Sequence, residues 1–460
     1  MALHADRADS ASSRGTASGP GTTSGPEPAT GPETTSGPGI ALRTRGTAAG
    51  LTWLQGTALY IGAVLGTGVI ALPALAANTA GPASLLAWLA LIVLSIPLAA
   101  TFSALGARYP DAGGISTCVQ LAFGSYPAAV VGWCFLLAVP VGGPAAAIFA
   151  GAYVQAAIGG GTATVMITAF VLVLGIAAIN AFGVTLSGRI QVLVAGLLVT
   201  FLLAAVCTSL PHARLENLQP FAPHGWLAVG SAAGLLVWSF AGWEAITYLA
   251  AEFRQPARDM PKAAAAAVVV IGILYFAVAA ATVLVLGPRA AATAAPLALL
   301  LAIGFGGQMK MLAAIVALLL TAGTMNAYFA GAAKLGAALG RDGALPLWFA
   351  RGSEAGGIPR RSLLSLASLT LITLIAVELT HLRVEALVLM TTGAFVVVYI
   401  LGTAAALRLL EARSWGRRAA LLALVFDVLL LATTGAYILW SVGVAACAVI
   451  YLFLARKRLA

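Results

Sequence analysis

Charge is what this 460-residue chain has least of: Asp, Glu, Lys and Arg make 9% of it and 61% is hydrophobic, whereas an ordinary soluble domain is about 25% charged. That balance excludes a water-solvated globular fold. Cysteine is scarce as well. Cys118, Cys134, Cys207 and Cys447 stand far apart with no CxxC spacing, so neither a disulfide framework nor a zinc site is indicated, and they read as packing residues. The histidines, His4, His212, His224 and His381, fall in the N-terminal segment or in loops between apolar runs, and no HExxH, GxSxG or Walker string occurs. Hydrolytic chemistry and ATP-driven transport therefore lack their residues, and the chain is not expected to be an enzyme. The net charge of +10 is spread over short loops rather than gathered on one face, which excludes a nucleic-acid site.

What is present is serial apolar sequence. A window of about 20 residues, the length that crosses a hydrocarbon core of ~30 Å, predicts twelve helices, near 54–77, 83–106, 127–157, 163–181, 184–210, 226–250, 263–287, 309–333, 362–379, 385–407, 418–435 and 437–455. With the N-terminus placed in the cytoplasm, 21 of the 25 Lys and Arg residues fall on inner segments. This positive-inside bias predicts a multi-pass membrane protein with both termini cytoplasmic. Residues 1–50 differ. Gly, Ser, Thr and Pro make 28 of them, SGP recurs at 18–20, 24–26 and 36–38, and there is no aromatic residue or apolar signal region. A disordered cytoplasmic tail is expected there, because such a segment buries too little apolar area to offset its ordering entropy.

Two of the twelve runs are internally weak. The first contains IGAVLGTGVIALP with Gly62, Gly66, Gly68 and Pro73; the sixth contains WSFAGWEA, where Gly242 stands beside the ionisable Glu244. GTGVIA has the form of a dinucleotide fingerprint but lacks the strand that motif requires. Gly62-xxx-Gly66 equally suits a close helix-packing face. Glycines also lower the cost of unwinding a helix, which exposes backbone N–H groups at the positive end of the following half-helix, a site for a carboxylate. The break near Gly242 frees carbonyls suited to an ammonium group. Glycine-interrupted helices at matching places in two five-helix halves point to an inverted-repeat transporter with a midplane site that takes a zwitterion.

Other residues carry competing readings. Glu244 is costly at this depth unless it faces a cavity or a partner, so it is a coupling group or a structural one that holds the broken helix. Trp238, Phe240 and Trp243 flank the sixth-run break and suit a gate. Thr321, Thr324 and Asn326 in TAGTMNA line an ion site or hydrogen-bond their own helix. Asp427 reads as a structural or helix-packing residue.

These strings resemble the amino acid-polyamine-organocation transporters, over about residues 51–410. The matching stretches are GAVLGTGVIALPAL, RYPDAGGIS with AFGSYPAAVVGW, and SFAGWEAITYLAAEFRQPARDMPKA. Among that family, the chain is most similar to the bacterial exporters of methionine and branched-chain amino acids. The resemblance implies an all-α LeuT-like fold of twelve transmembrane helices. A ten-helix core of two inverted five-helix repeats at 51–407 would have discontinuous first and sixth helices, and 408–460 would hold helices eleven and twelve. It implies a substrate site of Val64, Gly66, Thr67, Gly68, Trp238, Ser239, Phe240, Ala241 and Gly242. The carboxylate would meet Thr67 and nearby N–H groups, the ammonium would meet carbonyls of Val64, Trp238 and Ala241, and Phe240 or Trp243 would close over the ligand. Trp243 and Glu244 would gate or couple, and Arg254, Arg258 and Asp259 would form a cytoplasmic gate or clamp. No cofactor is implied beyond a coupling ion, either a proton or sodium at Thr321 and Thr324. The fifth run lacks the lysine that some proton-coupled relatives carry, so the coupling ion stays open. The expected function is secondary transport of neutral apolar amino acids by efflux. Uptake, exchange or polyamine transport, a channel, and a non-transporting scaffold or receptor are the rivals.

Overall fold

Hydrocarbon offers no water to backbone N–H and C=O groups, so each apolar run must satisfy them within itself as a helix. In the computed structural model, which describes residues 50–110, 114–183, 188–353 and 357–457, the runs are helical and the described residues contain no strand beyond an isolated bridge between Leu51 and Phe253. The expected tail at 1–50 lies, apart from Gly50, outside the described residues. The α-helices are α1 Trp53–Leu65, α2 Gly68–Ala80, α3 Ser84–Arg108, α4 Gly114–Phe123, α5 Ser125–Ile158, α6 Gly161–Ala181, α7 Gly188–Ser209, α8 Leu227–Leu236, α9 Pro256–Ala281, α10 Pro296–Phe305, α11 Met309–Arg341, α12 Arg360–Thr380, α13 Val384–Leu409, α14 Trp415–Thr433 and α15 Ile438–Lys457. Among the described residues, nine helical stretches are long and apolar enough to cross a membrane. Helices α4 and α10, of 10 residues each, were not expected, because a spanning-length window passes over any helix too short to cross.

The first and sixth runs are each split. The first becomes α1 and α2, parted at Gly66 and Thr67. The sixth is α8, continued by a 3-10 turn at Val237–Phe240, an extended Ala241, and a second 3-10 segment at Ala245–Glu252. Helix α5 is the most deeply buried of the long helices. It packs on α6, α11, α12, α13 and α15, and 83% of its most apolar stretch is buried, against 17% for α6 and 22% for the α15 stretch. The peripheral helices turn Ile167, Val171, Leu439 and Ile450 outward, as a protein solvated by lipid on its flanks must.

Helix α1 starts on a capping box. Thr52 Oγ1 accepts from Gln55 N–H, and the Gln55 side chain accepts from Thr52 N–H, satisfying two otherwise orphaned donors. The same end is tied to the chain just after the split sixth run. Leu51 N–H donates to Glu252 O at 2.8 Å, Arg254 N–H donates to Leu51 O at 3.1 Å, and Arg254 Nε donates to Gly50 O at 2.8 Å. Arg254 thus ties the foot of α1 to the residues that follow the sixth run, so the two broken segments share a base as well as a middle.

Candidate functional site

The break between α1 and α2 is made by residues that cannot hold a helix together. Gly66 takes φ 3° and ψ −146°, and Thr67 provides no side-chain cap for α2. Its hydroxyl instead accepts from Trp238 Nε1 at 3.2 Å, across 171 residues of sequence. The first N–H groups of α2 therefore have no capping side chain, and they carry the positive end of the helix dipole. Close approach explains the glycines. A Cβ on Gly68 would lie 2.7 Å from Ser239 Cα, and one on Gly66 would lie 3.1 Å from Thr324.

The second break adopts a conformation that only glycine tolerates well. Gly242 has φ 125°, and a Cβ there would meet the Ala63 backbone at 3.0 Å. Its free N–H donates to Glu244 Oε2 at 2.9 Å, and Tyr399 Oη on α13 donates to the same oxygen at 2.7 Å. Tyr328 of α11 also interacts with this carboxyl. Trp243 is fully buried against Tyr60, with ring centroids 5.5 Å apart. The two breaks are joined by Tyr275 of α9, whose hydroxyl lies 2.6 Å from both Val64 O and Ser239 O.

Between the breaks lies a cavity walled by α1, α2, α5, α11, α13 and the split sixth run, and among the described residues no Asp, Glu, Lys or Arg lines it. Of the expected substrate residues, Val64, Gly66, Thr67, Gly68, Trp238 and Ala241 line it. Ser239, Phe240 and Gly242 do not. Phe240 turns instead into an aromatic cluster with Trp88 and Tyr275, at centroid separations of 6.1 and 5.1 Å, so it cannot close over a ligand in this conformation. Trp243 and Glu244 also stand off the cavity. Trp238 borders it, as do Tyr328, Phe329 and Phe395. Thr324 lines the cavity with its hydroxyl donating to Leu320 O at 3.0 Å, whereas Thr321 Oγ1 is buried without a hydrogen-bond partner. Asn326 bonds across to Asn180 of α6 at 2.8 Å, which ties two helices and leaves the cavity to its neighbours.

Several residues escaped the sequence reading: Trp88, Tyr275, Thr391, Phe395 and Tyr399. A signal for the tyrosines does exist, since a phenol in the middle of an apolar helix needs a partner for its hydroxyl. What the sequence does not carry is which partner. Among the described residues no cluster of His, Cys, Asp or Glu is placed to hold a metal ion.

The amino acid permease family matches the chain over residues 51–456. The uncharacterized amino acid permease YecA of Bacillus subtilis is 35% identical over 402 residues, covering 87% of this chain and 95% of that protein. The L-methionine/branched-chain amino acid exporter YjeH of Escherichia coli is 32% identical over 385 residues, or 83% and 90% of the two chains. The branched-chain amino acid permease BcaP of Bacillus subtilis is 28% identical over 240 residues, or 48% and 52%.

Proposed function

Because this chain belongs to the amino acid permease family, whose members are transporters and not enzymes, we propose that it carries neutral, apolar amino acids across the bacterial cytoplasmic membrane by alternating access, in the direction of efflux. One observation carries the reading: a cavity at two helix breaks that offers backbone polar groups to a zwitterion and no side-chain charge to a third ionic group. The substrate carboxylate meets the N–H groups at the start of α2 and the Thr67 hydroxyl. The ammonium meets carbonyls around Trp238 and Ala241. Val64 O already accepts from Tyr275 at 2.6 Å and Trp238 O from Ala241 N–H at 3.3 Å, so Val64 O, with the shorter bond, is the weaker acceptor of the two. Val139, Ala146, Met325, Phe329 and Phe395 provide an apolar wall for the substrate side chain. A buried ligand charge without a partner there would be costly.

The architecture that suits this function has twelve spans in two inverted five-helix repeats, with the first and sixth discontinuous and both termini cytoplasmic. The name of the Escherichia coli relative supports methionine and branched-chain substrates and supports export. The name of the branched-chain permease, similar over about half of each chain, favours the branched-chain substrates. For the coupling ion, Glu244 is the proton candidate, and the unpartnered Thr321 hydroxyl with Thr324 is the sodium candidate.

The experiment is counterflow of radiolabelled methionine and leucine in proteoliposomes, with unlabelled amino acids as competitors. Saturable counterflow that apolar amino acids compete and lysine or glutamate do not is the expected result. Folded protein that exchanges no amino acid sinks the proposal.

A further inference from the structure

Asp427 lies on α14, away from the cavity and both breaks, and it is fully buried. Its Oδ2 is 3.4 Å from Thr403 Oγ1 on α13, and among the described residues its Oδ1 has no hydrogen-bond partner. Helices α3, α8 and α13 pack against α14. Their titratable and charged groups are few. Arg108 and Arg408 stand in the last turns of α3 and α13, Glu385 stands in the first turn of α13, and α8 carries none. Tyr399 lies one turn from Thr403 with its hydroxyl spent on Glu244. On α14 itself, Arg417 and Arg418 are more than two turns from Asp427, and among the described residues Asp427 has no ion pair.

Thr403 has one hydroxyl proton to give. Three oxygens surround it: Tyr399 O at 2.7 Å, Ile400 O at 3.2 Å and Asp427 Oδ2 at 3.4 Å. The shortest of the three takes the proton, which leaves a Thr403 lone pair facing Asp427. An ionised carboxylate could be met only by pulling the Thr403 proton off the Tyr399 carbonyl, whereas a carboxylic acid would donate its own O–H to that lone pair. We propose that Asp427 is a proton-binding site, neutral when its O–H is donated to Thr403, and that loss of this proton draws the Thr403 hydroxyl away from the Tyr399 carbonyl and toward the carboxylate. The bond that breaks is O–H on Asp427 and the proton leaves to water. No other covalent bond changes and nothing is oxidised or reduced; only the Thr403 hydrogen bond is exchanged. The consequence lies on α13. The turn that holds Tyr399, and through it Glu244 Oε2, is gripped on its other side by Thr403 and Asp427. Proton release at Asp427 therefore loosens the turn that anchors the second break.

Infrared spectroscopy of the full chain in liposomes, titrated from mildly acidic to alkaline pH, tests the site without any flux. A protonated-carboxyl carbonyl band is expected in the unmutated chain. It should move when aspartate is labelled at its carboxyl carbon, disappear in Asp427→Asn, rise in frequency in Thr403→Val as its hydrogen bond is lost, and bleach at alkaline pH. The labelled, unmutated chain keeps the test valid should either variant fail to fold. Absence of any aspartate-labelled protonated band overturns the proposal, and so does a band that sodium removes at constant pH, which marks a metal-cation site instead. A second arm rests on the transport reading: Thr403→Val and Asp427→Asn should shift the pH dependence of methionine counterflow while leaving its half-saturation within twofold. Intact flux with an unmoved pH profile overturns the link to α13. Absence of flux in the unmutated chain is a failure of the transport reading and leaves the infrared result to decide the proton site.

Discussion

The two helix breaks use opposite chemistry. At Gly66 and Thr67 the chain opens, no side chain caps α2, and Gly66, Thr67 and Gly68 line the cavity. At Ala241–Glu244 the chain opens and is closed again from within, because Glu244 takes the Gly242 N–H and Tyr399 takes Glu244. A break that leaves donors free is suited to hold a ligand, and one that satisfies its own donors is suited to hold a shape. Tyr275, whose single hydroxyl proton is shared between a carbonyl on each side, links the two breaks.

That contrast can be broken most severely at Gly68. Gly68→Leu puts side-chain atoms where Ser239 already sits, and complete loss of methionine binding is expected in a chain that still inserts into membranes. Retained binding in a scintillation proximity assay would falsify the assignment of the first break as the ligand side. Next in size is Glu244→Ala, which leaves the Gly242 N–H and the Tyr399 hydroxyl unpaired. Each buried orphan costs about 1–3 kcal/mol, so a clear drop in melting temperature is expected. Glu244→Gln keeps one acceptor and should cost less. If protons couple here it should also flatten the pH dependence of counterflow, and an unchanged profile moves the coupling away from this carboxyl.

Smaller effects sharpen the comparison. Tyr275→Phe removes the shared hydroxyl and should cost about 0.5–1.5 kcal/mol in stability. It should also change flux more than affinity, because it uncouples the breaks without touching the cavity wall; an affinity loss as large as the flux loss would contradict this. The smallest change expected is Trp238→Phe, which loses the bond to Thr67 and the outer ring atoms that lie beside Gly142 at the cavity border. A similar ~1 kcal/mol weakens binding roughly fivefold, readable as a shift in half-saturation. An equal loss of stability with unchanged binding would assign Trp238 to the scaffold.

Much of the fold was legible because it depends on local chemistry. Apolar length determines where a helix spans, and clustered glycines or a glycine beside an ionisable residue determine where it breaks. Both are properties of a few consecutive residues, and both appear in IGAVLGTGVIALP and WSFAGWEA. The short helices α4 and α10 were missed by the same logic, since a criterion of spanning length is blind to them. Of the residues the family resemblance implied, Val64, Gly66, Gly68 and Ala241 line the cavity, because a break exposes its own backbone wherever the rest of the chain goes.

Direction and partnership were decided by the tertiary structure alone. Phe240 turns to Trp88 and Tyr275 and leaves the cavity border to Trp238, Phe329 and Phe395. Glu244 meets Tyr399, 155 residues away. In a water-soluble helix the polar face betrays which side is buried. A helix that is apolar all round carries no such mark, so its inward face, and with it every cross-helix contact, is set only when neighbouring helices pack.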